Sequence, residues 1–393
     1  IEDLMNKNLV ILTLSQIFSF TAAPVTVFLS GIIGSQISPL KSLSTLPMSI
    51  SVVGIAIGAI FATKVMSLIG RKAGFISASI ANSIISLLAA FSILQQSFFL
   101  FCFANFFIGV GMAFTHQYRF AAAESVEKDK VPKAISIILL GGIVSAFLGP
   151  GIANHAKDIV SENLYVGSYL ALSILTIIPV IFFLFYNDTS KVVSSVTYSG
   201  RSYFELISQP RFLQAIVAAA FGYAIMTFLM TATPLSMHVM DNMSLSKTSM
   251  VIQFHVASMF LPSLVTGHLV KKFGHSKIMY AGVFLYSITI IASFFEQTFN
   301  NYLFALIFLG LGWNFLFISG TSLLVLTYRE EEKFKAQGLN DFIVYSIHAT
   351  GSLSAGILIA LTNWKTMNII CIPLMILIIL TTLRADILDK KNK

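Results

Sequence analysis

Charge is scarce in this chain. Of its 393 residues only 11% are Asp, Glu, Lys or Arg and 56% are hydrophobic. A soluble domain carries about 25% charged residues, so an ordinary water-soluble fold is excluded. Cysteine is scarce too. Cys102 and Cys371 lie far apart with no CxxC pair, which argues against a disulfide framework or a cysteine metal site. There is no Walker sequence, no HExxH, no nucleophile elbow and no GxGxxG set between a strand and a helix. The chain is therefore expected to be no enzyme, to carry no cofactor and to bind no nucleotide. No cleavable signal peptide is expected, because the first apolar run is too long for one.

What fills the sequence instead is a series of apolar runs, each able to cross about 30 Å of hydrocarbon as a helix. Twelve spans are predicted, at 9–34, 43–67, 73–95, 97–122, 133–156, 164–187, 212–240, 247–270, 276–296, 301–327, 336–361 and 364–384. The longest polar break, 188–211, divides an N-terminal six-helix bundle (1–187) from a C-terminal one (212–393). The fold class is thus an all-α polytopic membrane protein. Of the 25 Lys and Arg, twenty fall at the termini and in the even-numbered loops, and four in the odd-numbered ones: Lys41, Lys157, Lys247 and Lys365. The remaining one, Arg119, lies within a span. That bias puts both termini in the cytoplasm. It also accounts for the net charge of +8 without a nucleic-acid partner; the lipid bilayer is the partner expected.

The halves echo each other. Thr63-Lys64 and Gly70-Arg71-Lys72 follow span two; Gly267-His268 and Gly274-His275-Ser276-Lys277 follow span eight. With six helices on either side, the chain resembles the major facilitator superfamily, whose 2–3 and 8–9 loops carry a Gly-x-x-x-Asp-x-x-Gly-Arg-Lys type motif. The resemblance implies twelve transmembrane helices in two pseudo-symmetric bundles. The match is partial. Thr63 and Ser67 stand where the motif has Gly and Asp, and Lys271 replaces the Asp in the second copy, so the motif's usual gating salt bridge is in question. Gly141-Gly142 and Gly149-Pro150-Gly151 in span five predict close helix approach and a kink.

Ionisable residues inside spans are expensive and functional by default. Arg119, Asp341, His255 and His348 are the clearest. Arg119 either serves the transport cycle, with Asp341, as a gating or coupling group, or pairs with Glu124 as a strut. His348 is expected to make a local hydrogen bond. Asn314 and Gln117 are expected to bond across helices.

Seven of the fourteen methionines fall between Met226 and Met259. Met226 and Met230 are four apart, as are His255 and Met259, so each pair shares a helix face. Counted inward from the outer ends of spans seven and eight, the pairs fall at one depth near the midplane, where secondary transporters hold substrate. Thioethers and imidazole suit Cu(I); a methionine stripe is also a common core filler. Met237, His238, Met240 and Met243 crowd the outer end of span seven, as a possible first catch for metal or as interfacial packing.

MxxxM on span seven followed by HxxxM on span eight resembles the copper-importing facilitators of the CcoA-like family. QYRFAAAE at 117–124, GLGWNF at 310–315 and QGLNDF at 337–342 look similar as well, although relatives that carry organic molecules share those stretches. The resemblance implies metal residues at Met226, Met230, His255 and Met259, copper as transported substrate, import across the bacterial inner membrane, and supply of copper for cbb3-type cytochrome oxidase. The chain is expected to work as a monomer by alternating access. The alternative is a facilitator for an organic solute such as riboflavin, a siderophore or a drug.

Overall fold

In lipid every backbone polar group must be satisfied within the segment, which leaves the helix as the economical way for so apolar a chain to cross. The computed structural model describes residues 6–40, 43, 46–160, 164–188 and 200–391, and contains no strand among them. The helices in the N-terminal half are α1 (Lys7–Ser19), α2 (Ala22–Ile37), α3 (Leu46–Leu94), α4 (Phe98–His116), α5 (Tyr118–Glu124), α6 (Val131–Ala156), α7 (Val166–Ile177) and α8 (Pro179–Leu184). Then come α9 (Tyr203–Ser208), α10 (Pro210–Pro234), α11 (Leu245–Phe260), α12 (Ser263–Phe273), α13 (His275–Ala292), α14 (Phe299–Val325), α15 (Lys333–Leu361), α16 (Trp364–Ile370) and α17 (Ile372–Lys391). A π-helical turn, Leu235–Met240, extends α10.

Among the described residues, ten stretches are long and apolar enough to cross a membrane. One of them, α3, is 49 residues long and leaves helical geometry at Gly70. A Cβ on Gly74 would lie 2.6 Å from Cγ of Met66, although eight residues of straight helix span about 12 Å, so the chain doubles back there and α3 supplies two crossings. The helix α15, with 29 residues, is also long enough to cross. Adding that second crossing and α15 gives the twelve expected.

The sequence echo between the halves is also a backbone echo. Gly70 has φ 83°, ψ 165° and Gly274 has φ 87°, ψ 158°. An L side chain strongly disfavours this region and glycine does not, so both tight turns depend on their glycine.

The chain forms two compact units. The first comprises Ile1–Glu127, Ile137–Tyr198 and Gln337–Phe342. Within it α3 packs most heavily on α4, then on α7. Gly54 and Gly109 sit directly against the main chain of the facing helix, the close approach that holds helices together in lipid. Gly141 is similarly close to α1, and Gly149 to Thr21 and Pro24, matching the approach predicted for span five.

The second unit comprises Lys128–Ser136, Ser199–Ala336 and Ile343–Lys393. Its centre is α14, against which α10, α11 and α13 all pack. Gly310 receives the main chain of His255 and Met259, while Gly320 receives Ala215 and Ala219. Thr298 caps α14 by accepting from the Asn301 amide, one of the orphan donors at a helix start.

Leading into α9, Arg201 donates to Glu332 from Nε at 2.8 Å and Nη2 at 2.5 Å. The amides of Arg201 and Arg329 donate to the same carboxylate at 2.9 and 3.0 Å. The Arg201 guanidinium, helped by these amides, holds the buried Glu332 carboxyl at about 2, well below its ordinary value. Large apolar side chains stay exposed on both units, Ile84, Phe147, Phe284 and Leu361 among them, as a lipid-facing surface requires.

Candidate functional site

Two polar knots lie within the first unit. Arg71, fully buried, donates to Glu124 from Nε at 2.8 Å and Nη2 at 2.5 Å, and to Oε1 of Gln337 at 2.7 Å. Gln337 donates in turn to Glu124 at 3.0 Å. Arg71, within the Gly70-Arg71-Lys72 turn, thus has a carboxylate partner in Glu124. Ser67 itself bonds back to the Lys64 carbonyl at 2.8 Å. The second knot centres on Asp341, which pairs with Arg119 and accepts from Gln117 at 2.8 Å and Asn340 at 2.9 Å. Where an Arg119–Glu124 strut was one expectation, the ion pairs seen are Arg71 with Glu124 and Arg119 with Asp341. Both knots gather the 337–342 segment of α15 into the first unit. Gln117 bonds across helices as expected.

In the second unit Asn314 also bonds across helices. It donates to the Met259 carbonyl at 2.7 Å and to Ser263 at 2.8 Å, and accepts from Thr266 at 2.6 Å. Met226, His255 and Met259 are buried and Met230 is half-buried. Spans seven and eight were expected as direct neighbours. Instead α10 and α11 both lie against α14 and touch each other only slightly. The heights do agree. Gly222, one turn before Met226, meets Leu316, while His255 and Met259 meet Gly310. His255 Nδ1 lies 2.8 Å from the Leu306 carbonyl. A carbonyl only accepts, so Nδ1 carries the proton and Nε2 keeps its lone pair. That buried Nε2 has no hydrogen-bond partner.

The outer methionines diverge. Met237 is fully buried and Met240 is 44% exposed. Met243 is half-buried, its amide bonded to the Met237 carbonyl at 2.8 Å. The side chain of His238 lies outside the described residues.

A third constellation escaped the sequence reading. Tyr223 on α10 is ringed by His348 at 4.5 Å, Trp313 at 5.4 Å, Phe317 at 5.7 Å and Tyr345 at 5.9 Å between centroids. Trp313 and Phe317, one turn apart on α14, stack at 4.8 Å. Instead of the local hydrogen bond expected of it, His348 leaves Nδ1 unpartnered and lays its ring on Tyr223. The available signal was an aromatic at the middle of each of three helices. It is weak, because Phe and Tyr occur throughout this chain.

The profile of the Major Facilitator Superfamily matches residues 9–347 and 242–393. The riboflavin transporter RfnT of Brucella anthropi is 33% identical, over 95% of this chain and 94% of that protein. YddS of Bacillus subtilis, an uncharacterized MFS-type transporter, is 26% identical over 94% of this chain and 88% of its own length. In three dimensions the human organic anion transporter MFSD10 (TETRAN) matches with a TM-score of 0.76, covering 96% of this chain and 99% of that one at 11% identity. At that identity the likeness shows the shared fold alone.

Proposed function

The chain belongs to the major facilitator superfamily, and on that footing we propose that this multi-pass membrane transporter carries an organic solute of the flavin class. The observation that carries the reading is the relative named for riboflavin, 33% identical over nearly the full length of both chains. The CcoA-like assignment, with copper import and cytochrome oxidase supply, draws no support from the matched relatives; they favour the organic-solute alternative. Alternating access is the mechanism, with two six-helix halves joined by the 188–211 connection. Arg119 and Asp341 serve as gating groups: α15 is held at Asp341 in one state and released in the other. The chain works as a monomer without a cofactor in the bacterial inner membrane, both termini cytoplasmic.

One observation keeps copper as the second reading. A histidine whose Nδ1–H is fixed on a carbonyl presents Nε2 as a ligand, the usual arrangement of a metal-bound imidazole, and His255 has that form. The variant Met226→Leu, Met230→Leu, His255→Gln, Met259→Leu separates the two. Leu for Met conserves volume and should cost less than about 1.5 kcal/mol at each site. Under the flavin reading this variant transports riboflavin near the wild-type rate. Loss of radiocopper uptake by the same variant, from a wild type that takes up copper and ignores riboflavin, would establish the second reading.

A further inference from the structure

Several buried polar atoms of the second unit have no hydrogen-bond partner, His255 Nε2 among them, and two of these fall in one cluster. Trp313 is only 2% exposed, and its indole Nε1 has no hydrogen-bond partner; nor has Nδ1 of His348. Buried donors and acceptors are nearly always satisfied, and exceptions call for a reason. These two belong to the ring cluster around Tyr223. Tyr345, Phe317 and Trp313 are buried, whereas Tyr223 and His348 are half-buried. The cluster is closed at its back and open along the Tyr223–His348 edge. Its depth is also telling. The midpoints of Pro210–Pro234, Phe299–Val325 and Lys333–Leu361 fall at Gly222, Gly312 and Ile347, each the immediate neighbour of a cluster residue. The middle of the helices is where transporters of this architecture keep substrate.

A neighbouring cavity of about 360 Å³, lined by Phe221, Ala224, Phe228, Ile347, Thr350 and Gly351 among others, lacks this chemistry. Its Thr350 hydroxyl is spent on the Ser346 carbonyl at 2.9 Å.

We propose that the Tyr223–His348 edge is the subsite for the flat heteroaromatic ring of the substrate, and that Trp313 and His348 determine ring specificity. The site rests on the organic-solute reading above and gives it an address. Tyr223 and His348 offer faces for offset stacking. The Trp313 indole only donates, so it demands a carbonyl oxygen or a ring nitrogen on the ligand's edge. His348 Nδ1 takes a second edge contact. A purely hydrocarbon ring would leave both atoms unsatisfied and is discriminated against.

The chain offers its own reporter. It has two tryptophans, Trp313 and Trp364, so Trp364→Phe leaves emission from Trp313 alone. Riboflavin, lumiflavin (the ring without its ribityl chain), a pterin and an acridine are titrated into the purified full-length protein. Quenching of Trp313 is read, and flavin emission is read in parallel on protein that keeps Trp364. Riboflavin and lumiflavin are expected to quench with similar affinity, and Trp313→Phe or His348→Phe, which keep a ring and remove the polar atom, to weaken binding about tenfold. If riboflavin fails but the pterin quenches Trp313 and is lost in His348→Phe, the flavin reading falls and the ring subsite stands. If riboflavin binds with unchanged affinity in both ring-conserving variants, or if no ring quenches Trp313, the subsite is overturned.

Discussion

Arg71 grips Glu124 through two hydrogen bonds, 2.8 and 2.5 Å long, one from Nε and one from Nη2. Arg71 stands at the start of a crossing, one residue past the Gly70 turn, and Glu124 at the end of α5. The pair joins the Gly70 turn to a different helix. Breaking such a buried pair from one side leaves an uncompensated charge, at a cost of roughly 3–5 kcal/mol. Glu124→Gln is therefore expected to lower thermal stability in detergent sharply. The double variant Arg71→Met, Glu124→Leu should recover much of the loss. Equal stability of Glu124→Gln and wild type in a thermal-shift measurement would show the pair to be idle.

Arg119 and Asp341 are expected to govern turnover more than substrate affinity, because their pair holds one turn of α15 rather than lining the ring cluster. Asp341→Asn and Arg119→Gln should each cut the transport rate at least about tenfold while equilibrium binding stays near wild type. Normal rates from both variants at normal expression would leave the pair structural.

The Arg201–Glu332 clamp carries a pH signature. Glu332 titrates at about 2 in the folded protein, below the ordinary 4.5 of a free glutamate. Its contribution to stability is fully present above pH 4.5 and is lost only as pH falls through about 2. The stability difference between wild type and Glu332→Gln should thus stay flat from neutral pH down to that of a free carboxyl and close below it. A difference that faded between neutral pH and mildly acid pH would contradict the clamp.

Topology follows from the charge bias. Lys157 and Lys365 are expected outside the cell and Lys271 inside. Lys271 is 43% exposed and pairs with Asp129 at 2.5 Å, which makes it a better reporter than Lys333, whose side chain is 5% exposed. Lys191 and Lys41 lie outside the described residues. Single cysteines at 157, 365 and 271, in a background lacking Cys102 and Cys371, should divide between impermeant labelling from outside and protection. Labelling of 157 only from inside would invert the orientation.

Much of this was legible in the sequence because lipid enforces a simple code. Apolar runs became helices, and the Gly70 and Gly274 echoes became matching backbone turns. Asp341, Arg119, Gln117 and Asn314 proved to be polar partners buried in the helices, since an unpaired charge or amide there is too costly to keep. What sequence could not supply was which pairs form. Glu124 was within reach of Arg119 along one helix, yet Arg71 takes it from another, a choice made by three-dimensional packing. The methionine pairs were visible because sulfur is rare; the rings around Tyr223 were not, because Phe and Tyr are everywhere in this chain and only the fold brings Trp313, Phe317, Tyr345 and His348 together around Tyr223.

The identity of the solute can be read directly. Purified protein reconstituted into liposomes preloaded with unlabelled riboflavin should accumulate radiolabelled riboflavin from outside by counterflow, which reads exchange in either direction, and should leave external radiocopper behind. Riboflavin counterflow no faster than in protein-free liposomes, alongside radiocopper uptake that depends on His255 and Met259, would contradict the flavin reading.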